Sequence, residues 1–467
     1  MKIAFITSEA SPYFKSGGLA DVARSLPDAL VRAGHDVRIV HPMYGFVASR
    51  FKDVRFETEF EVPWPSGPRN ARFYTHEVEG RATAVLIEQF SFFEVAEPYA
   101  AAVDPMAVGE RFAFFSRAAL HYARWWGAHV VHVNDWQTAL APLYAQVDDI
   151  DLPTLLSIHN LAYQGNFSPA ILERIGVPRD YFRTENGLEF YGHASFLKAG
   201  LSLADRLTTV SPTYAEEIQT PAYGAGFDGL LRFRRRSLHG ILNGIDVETW
   251  NPATDAAIAQ PYTARNVELK EENRKALLNE LGLETPGPLV VAVSRLAHQK
   301  GIDILIAALP HLIEMGASVA VLGDGDFEME QAFARAQLQF PGRVAAVFRF
   351  DDALSRRFYA GGDFFVMPSR YEPCGLGQMI AQRYGNVPIV RKTGGLVDTV
   401  ENGKTGFLFD NPEPLSLVKA ARRAFAAYRR STFLTMRRRC MRLDRSWGRS
   451  AALYETVYRF AIGPELP

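Results

Sequence analysis

The sequence predicts an α/β protein built from two doubly wound, Rossmann-like domains facing each other across a deep cleft. Three observations carry this. At 467 residues the chain exceeds what one hydrophobic core usually supports. Short, continuously apolar runs recur with helical stretches between them, the pattern of parallel strands covered on both faces. Polar and glycine-rich clusters follow those runs at their C-terminal ends, where open α/β sheets bind ligands.

Composition removes several function classes. Apolar residues make up 48% and charged residues 22%, as in an ordinary globular protein. A formal net charge of −1 gives no global field for nucleic acid or an anionic membrane, so neither is expected as a partner. The two cysteines, Cys374 and Cys440, form no disulfide framework and no metal-ligand spacing, which suits a reducing compartment. The chain opens directly as a strand, Met1-Lys-Ile-Ala-Phe-Ile-Thr7, without the apolar core of a signal peptide, and no apolar run reaches spanning length. A cytoplasmic enzyme is expected. The arginines near the C-terminus (Arg422, Arg423, Arg429, Arg430, Arg437, Arg438, Arg439) read as a solvated helix face.

In the first half, a strand from Lys2 to Thr7 leads into Ser8-Glu-Ala-Ser-Pro-Tyr-Phe-Lys15-Ser-Gly17-Gly18-Leu19. The helix that follows carries Leu19, Val22, Ala23, Leu26 and Leu30 on one stripe and stops at Gly34. Gly17 and Gly18 open that helix, so backbone N–H groups could meet a phosphate there, with Lys15 in reach. The spacing is not G-x-G-x-x-G, which argues against a dinucleotide enzyme. Residues 50–90 read as a β insertion, with strands at Arg55 to Val62, Ala71 to Val78 and Thr83 to Glu88. Further apolar runs end at Asn134-Asp135-Trp136 and at His159-Asn160, on the same side as the Lys15 loop. Ser211 caps the helix begun by Pro212. Asn243-Gly-Ile-Asp246 falls where composition shifts, which places the interdomain hinge at 243–250.

The second half starts a fresh sheet at Pro288 to Val293. Its loop, Ser294-Arg295-Leu-Ala-His-Gln-Lys300-Gly301, feeds a helix from Ile302 to Met315. Arg295 and Lys300 thus flank a strand-to-helix turn suited to a pyrophosphate, with a bidentate arginine and a lysine point charge. Asp363 to Met367 is a buried strand, followed by Pro368-Ser-Arg-Tyr-Glu372-Pro-Cys-Gly375-Leu376-Gly and then a helix to Tyr384. A strand from Asn386 to Val390 leads to Thr393-Gly394-Gly395-Leu.

Lys15-Ser-Gly-Gly-Leu-Ala-Asp-Val22 resembles the Lys-x-Gly-Gly-Leu-x-Asp-Val motif of the bacterial glycogen and starch synthases. Val133-Asn-Asp-Trp-Gln-Thr138, Ser157-Ile-His-Asn-Leu-Ala-Tyr-Gln-Gly165, the Arg295/Lys300 loop and Ser369-Arg-Tyr-Glu-Pro-Cys-Gly-Leu376 with Thr393-Gly-Gly-Leu-x-Asp398 are similar to further blocks of that family. The resemblance implies a GT-B fold with an N-terminal domain at 1–245, a nucleotide-sugar-binding domain at 246–445, and a helix at 446–467 that crosses back onto the first domain. It implies transfer of glucose from ADP-glucose to the non-reducing end of an α-1,4-glucan such as glycogen, with retention of configuration. The implied catalytic residues are Glu372, His159, Arg295, Lys300 and Lys15. The implied substrate contacts are Lys15, Gly17, Gly18, Asp135, Asn160, Asn243, Arg295, Lys300, Phe350, Glu372, Gly375, Leu376, Thr393, Gly394 and Gly395. Phe350 is either a stacking platform for the nucleotide base or a core residue. No cofactor or metal is implied; arginine and lysine take a divalent ion's place.

Two stretches depart from the family pattern. Where synthases usually carry Arg-Pro-Gly-x-Tyr, this chain runs Phe92-Phe-Glu-Val-Ala-Glu-Pro-Tyr-Ala-Ala-Ala-Val-Asp104. Where the family commonly has Thr-Gln-Leu-Tyr, it has Gly377-Gln378-Met379-Ile380. These leave open a related transferase with another acceptor, or a catalytically weak glucan-binding relative. A phosphorylase would require a lysine-bound pyridoxal phosphate.

Overall fold

Strand and helix signals in the chain build two separate parallel sheets. The computed structural model describes residues 1–51, 53–99, 104–284 and 287–463. It divides into two units: Met1–Val210 with Ala215–Gly244 and the chain from Trp447 on, and Ser211–Tyr214 with Ile245–Ser446. The chain thus changes unit at Gly244/Ile245 and at Ser446/Trp447, and a four-residue excursion at Ser211–Tyr214 counts with the second unit. No helix among the described residues is long and apolar enough to cross a membrane.

The first unit holds a nine-stranded sheet. In spatial order its strands are Leu238–Gly240, Arg206–Thr209, Thr154–Ile158, Val130–Asn134, Lys2–Ile6, Asp36–Pro42, Thr83–Glu88, Arg69–His76 and Arg55–Val62. All but the last two run parallel, and those two add on antiparallel at one edge. The three strands of the β insertion thus join the main sheet itself. The middle strand of this group starts at Arg69 and ends at His76, since Ala71, Phe73 and Thr75 alternate onto the buried face. The central strand Lys2–Ile6 is buried from Ile3 on, as a strand covered on both faces must be.

The helix Gly448–Ile462 packs within the first unit, burying Ala451, Tyr454, Val457 and Tyr458. A chain of buried polar groups fastens it. The Tyr458 hydroxyl lies 2.8 Å from His132 Nδ1, His132 Nε2 lies 2.7 Å from Ser157 Oγ, and Ser157 Oγ lies 2.5 Å from Thr208 Oγ1. These groups step across three adjacent strands. Burial holds the His132 imidazole well below its ordinary range, so it is neutral and offers one donor and one acceptor.

In the second unit six strands all run parallel, in the order Val344–Val347, Ser318–Leu322, Leu289–Val293, Phe364–Met367, Val387–Arg391 and Phe407–Phe409. The helix Ile302–Glu314 lays Ile302, Leu305, Ala308, Leu309 and Leu312 onto this sheet at helical spacing. The arginine-rich tail is not uniformly solvated. Arg422, Arg423, Arg429, Arg430 and Arg439 are exposed, but Arg437 is buried and pairs with Asp363, which also takes Arg274 Nε at 3.0 Å. Asp363 opens a core strand and is 1% exposed, so its carboxylate requires those partners.

Replacing Tyr458 by Phe leaves a buried His132 nitrogen unmet. The expected loss is about 1–3 kcal/mol of unfolding free energy, read as a lower urea midpoint at unchanged slope. An unchanged midpoint would remove this network from the helix's anchorage.

Candidate active site

In the second unit, four loops follow parallel strands and emerge at the same edge of the sheet. Arg295 follows Leu289–Val293, Phe350 follows Val344–Val347, Glu372 follows Phe364–Met367, and Thr393 follows Val387–Arg391. Parallel register alone brings these separated motifs to one edge.

Lys300 and Glu372 meet there. The Lys300 ammonium donates to both Glu372 oxygens, at 3.0 and 2.7 Å, and Ser369 Oγ donates to Oε2 at 2.9 Å. Glu372 is 4% exposed, so its charge depends on these donors. The loop bearing Lys300 is held against the Glu372 turn by three further contacts. Arg370 forks onto Asp303, both bonds at 2.7 Å, and its backbone N–H donates to the Gln299 carbonyl at 2.8 Å. Gly301 sits at φ +66°, where any side chain would run into the Pro368 carbonyl. Glycine there lets Lys300 approach Glu372.

The Thr393–Gly395 segment packs onto the same turn. Gly395 N–H donates to the Glu372 carbonyl at 3.1 Å, and a side chain at Gly394 would strike that same carbonyl oxygen. The glycines here serve close backbone approach. Gly375 and Leu376 complete the turn, and Leu376 caps the helix Gly377–Arg383. Arg295 is exposed on its loop. Phe350 is 75% exposed, which decides against a core role. Neither Arg295 nor Phe350 is drawn into the Lys300–Glu372 contact.

The departure at Gly377 has a steric counterpart. A Cβ at that position would lie 2.9 Å from the Phe365 ring, 3.2 Å from Met367 and 3.3 Å from the Tyr359 hydroxyl. Those side chains occupy the room a threonine would need, and Ile380 is buried at 6% exposure.

The first unit carries a second cluster, again at the carboxyl edge of its sheet. Asp135, with φ +54°, accepts from the His159 N–H at 2.7 Å and the Asn160 N–H at 3.4 Å. The His159 ring lies 2.9 Å from Asn134 Oδ1, and Asn134 Nδ2 donates to the Ile6 carbonyl at 3.0 Å. Asn243 is buried, with its side-chain oxygen lacking a hydrogen-bond partner among the described residues. Burial pushes the Asp135 carboxyl up to about 7, opposed by the two N–H donors and assisted by the charge of Glu9. Burial brings the His159 imidazole down to about 4, so it is neutral near pH 7.

The Lys15 loop differs from expectation. Of the Gly17 and Gly18 N–H groups read as able to meet a phosphate, that of Gly17 donates to Glu9 Oε2 at 3.0 Å, beside the Ser16 N–H at 2.8 Å. Ser16 Oγ and the Tyr99 hydroxyl donate to Glu9 Oε1, at 2.8 and 2.9 Å. Lys15 pairs with Asp21 at 2.8 Å, and both side chains are more than two-fifths exposed. Gly18 precedes the helix Leu19–Arg32. Glu9, Asp21 and Tyr99 were not singled out as site residues from the sequence, although Asp21 belongs to the Lys15 motif and Glu9 precedes it. Tyr99 lies in the divergent segment, of which 100–103 fall outside the described residues. Arg111 ties the described part down, donating to the Phe92 and Pro98 carbonyls at 2.9 and 2.7 Å.

A buried acid that titrates at about 7, against an ordinary 3.8, has a fixed sign of pH dependence. The native state keeps a proton that the unfolded chain has lost, so Asp135's contribution to stability is full below about pH 4 and is lost as pH rises to about 7. Asp135→Asn removes the titration. Its melting temperature relative to the native protein should climb between pH 4 and 7 and level off above. A difference independent of pH would contradict the assignment.

Comparisons with known proteins bear on the family and the fold. The starch synthase catalytic domain model matches residues 2–233, and the glycosyl transferases group 1 model matches residues 287–426. A glycogen synthase of Anaeromyxobacter sp. (strain Fw109-5) is 45% identical over 490 residues, spanning 99% of this chain and 100% of that one. A glycogen synthase of Thermotoga maritima is 41% identical over 485 residues, spanning 99% of both. Among solved structures, the catalytic domain of starch synthase IV from Arabidopsis thaliana, bound to ADP and acarbose, is similar at a TM-score of 0.89 and 33% identity, over 98% of this chain and 99% of that one. A sucrose-phosphate synthase from Thermosynechococcus elongatus shares the fold at a TM-score of 0.62 and 21% identity, over 98% of both chains. With relatives of this identity matched end to end and both halves matched by its domain models, the chain belongs to the glycogen and starch synthase family of GT-B glycosyltransferases.

Proposed function

We propose that this protein is a glycogen synthase that transfers glucose from ADP-glucose to the 4-hydroxyl at the non-reducing end of an α-1,4-glucan, with retention of configuration. The observation that carries the reading is the Lys300 ammonium on the buried Glu372 carboxylate, at the carboxyl edge of the second sheet. ADP as the nucleotide is supported by the solved relative, which was bound to ADP and acarbose. The two thiols, Cys374 and Cys440, are buried and form no disulfide among the described residues, which suits a reducing cytoplasm.

In this reading the bond from glucose C1 to the β-phosphate oxygen breaks as the acceptor oxygen attaches to the same face of C1. The acceptor's proton passes to the departing phosphate oxygen, and no enzyme–sugar bond forms. Negative charge grows on the diphosphate and positive charge on the sugar. Lys300 spends two N–H donors on Glu372 and keeps a third for a phosphate oxygen. Arg295, exposed on its loop, supplies a planar fork for the same diphosphate. No cofactor takes part. Glu372, held ready by Lys300 and Ser369, takes the glucose hydroxyls and offsets the cationic sugar. Gly375, Leu376 and the Thr393–Gly395 segment frame this donor pocket, and the exposed Phe350 ring stacks on the base. Lys15, Gly17, Gly18, Asp135, His159, Asn160 and Asn243 are assigned to the reaction by their match to the family motifs. Neutral His159 acts as a hydrogen-bonding group for the sugar rather than as a cation.

Release of ADP from ADP-glucose, with and without glycogen, tests this. The native protein should release ADP from ADP-glucose only with glucan, and should release UDP from UDP-glucose more slowly. Lys300→Ala and Glu372→Ala should each lower kcat by about 10²–10³-fold, the effect of removing one preorganised electrostatic group. Glucan-dependent release that survives both substitutions, or no release with any glucan, would overturn the reading.

A further inference from the structure

The Ser211-Pro-Thr-Tyr214 segment does more than begin a helix. The flanking Val210 and Ala215 belong to the first unit, whereas these four residues belong to the second. Ser211 Oγ accepts from the Tyr214 N–H at 3.2 Å, the ordinary capping bond. The same hydroxyl donates to the Pro373 carbonyl at 2.6 Å, one residue past Glu372. Ser211 is fully buried, so both of these bonds are made away from water. Two residues on, the Thr213 N–H and hydroxyl both donate to the Asp398 carboxylate, at 3.0 and 2.8 Å. Asp398 lies in the helix Gly394–Thr399, whose first turn donates from Gly395 N–H to the Glu372 and Pro373 carbonyls, at 3.1 and 3.3 Å. The segment therefore grips the Glu372 turn twice, directly at Pro373 and indirectly through the helix that packs on it.

A helix cap alone needs only the first of these bonds. The other three point away from the segment's own helix, one to the Pro373 carbonyl and two to Asp398, whose helix meets the carbonyls behind Glu372. Those carbonyls are then fully engaged: Glu372 O with Gly395, Pro373 O with Ser211 and Gly395, and Cys374 O with Gln378 Nε2 at 3.0 Å. With its backbone pinned on that side, the turn has one way to present the Glu372 side chain.

We propose that Ser211 and Thr213 are positioning residues for Glu372, forming a strap that sets the Glu372–Pro373 backbone through Pro373 and Asp398. The inference rests on the donor-site reading of Glu372 given above. A displacement of the order of 1 Å at a reacting group can cost about 10²-fold in rate, so a strap of this kind acts on turnover rather than on acceptor binding.

Steady-state kinetics and amide hydrogen exchange together decide it. Ser211→Ala and Thr213→Val should each lower kcat about tenfold with KM for glycogen unchanged, while Thr213→Ser returns kcat to within about twofold of the native enzyme, an effect of geometry rather than of bulk. Asp398→Ala should match Thr213→Val, and the double variant should be no slower than either alone, since the two act as a unit. Exchange in the peptide covering 369–380 should accelerate in Thr213→Val and not in Thr213→Ser. Native kcat in Ser211→Ala and Thr213→Val, multiplicative losses in the double variant, or unchanged exchange would each overturn the strap. If the native protein releases no ADP, accelerated exchange still upholds the strap while the donor reading of Glu372 fails.

Discussion

A carboxylate buried at the end of a parallel strand must be surrounded by donors, and much of the second unit is arranged to meet that demand at Glu372. Taking an acid out of water costs several kcal/mol unless its oxygens are matched. Lys300 and Ser369 match them, but only because the backbones that carry these residues come unusually close. Gly301 against Pro368 and Gly394 against the Glu372 carbonyl allow that approach, and Arg370 on Asp303 locks it. The pair is built for presentation. A solvated lysine and glutamate on flexible stems would gain little from each other, whereas Glu372 is buried and Lys300 largely covered, so the pair is held in one geometry.

The first unit solves a related problem with backbone amides. Glu9 and Asp135 follow adjacent strands, Lys2–Ile6 and Val130–Asn134, and each draws on N–H groups of a loop. The outcome differs with the donors. Asp135 accepts from two N–H groups, and burial pushes its carboxyl up to about 7. Glu9 takes the donors of the Lys15 loop, so that loop is shaped by an internal carboxylate and leaves Lys15 itself exposed beside Asp21. The divergent 92–99 stretch also turns toward Glu9, through the Tyr99 hydroxyl.

Much of this was legible in the sequence because it rests on local signals. Apolar runs located the strands, and glycines and caps located the turns between them. Parallel topology then obliged the loops after Val293, Met367 and Arg391 to share an edge, so Lys300, Glu372 and Thr393 could be grouped before any distance was known. What stayed hidden depends on tertiary detail. A phenylalanine such as Phe350 reads alike in a core and on a surface, and its exposure settles the matter. Arg437 sits among solvated arginines in sequence yet is buried on Asp363. Ser211 reads as a cap, and its second bond, to Pro373, joins residues 162 apart. Nor does the sequence show that Gly301 and Gly394 stand where one backbone presses on another.

The central claim is that a donor sugar held at the Lys300–Glu372 pair passes to a glucan with its anomeric configuration kept. Incubating the protein with glycogen and ADP-glucose labelled with ¹³C at glucose C1, then reading the product by NMR, tests it most directly. The account predicts that label enters the glucan as α-1,4-linked glucose, with one ADP released per residue added. A β-linked product, or label recovered only as free glucose, would contradict it.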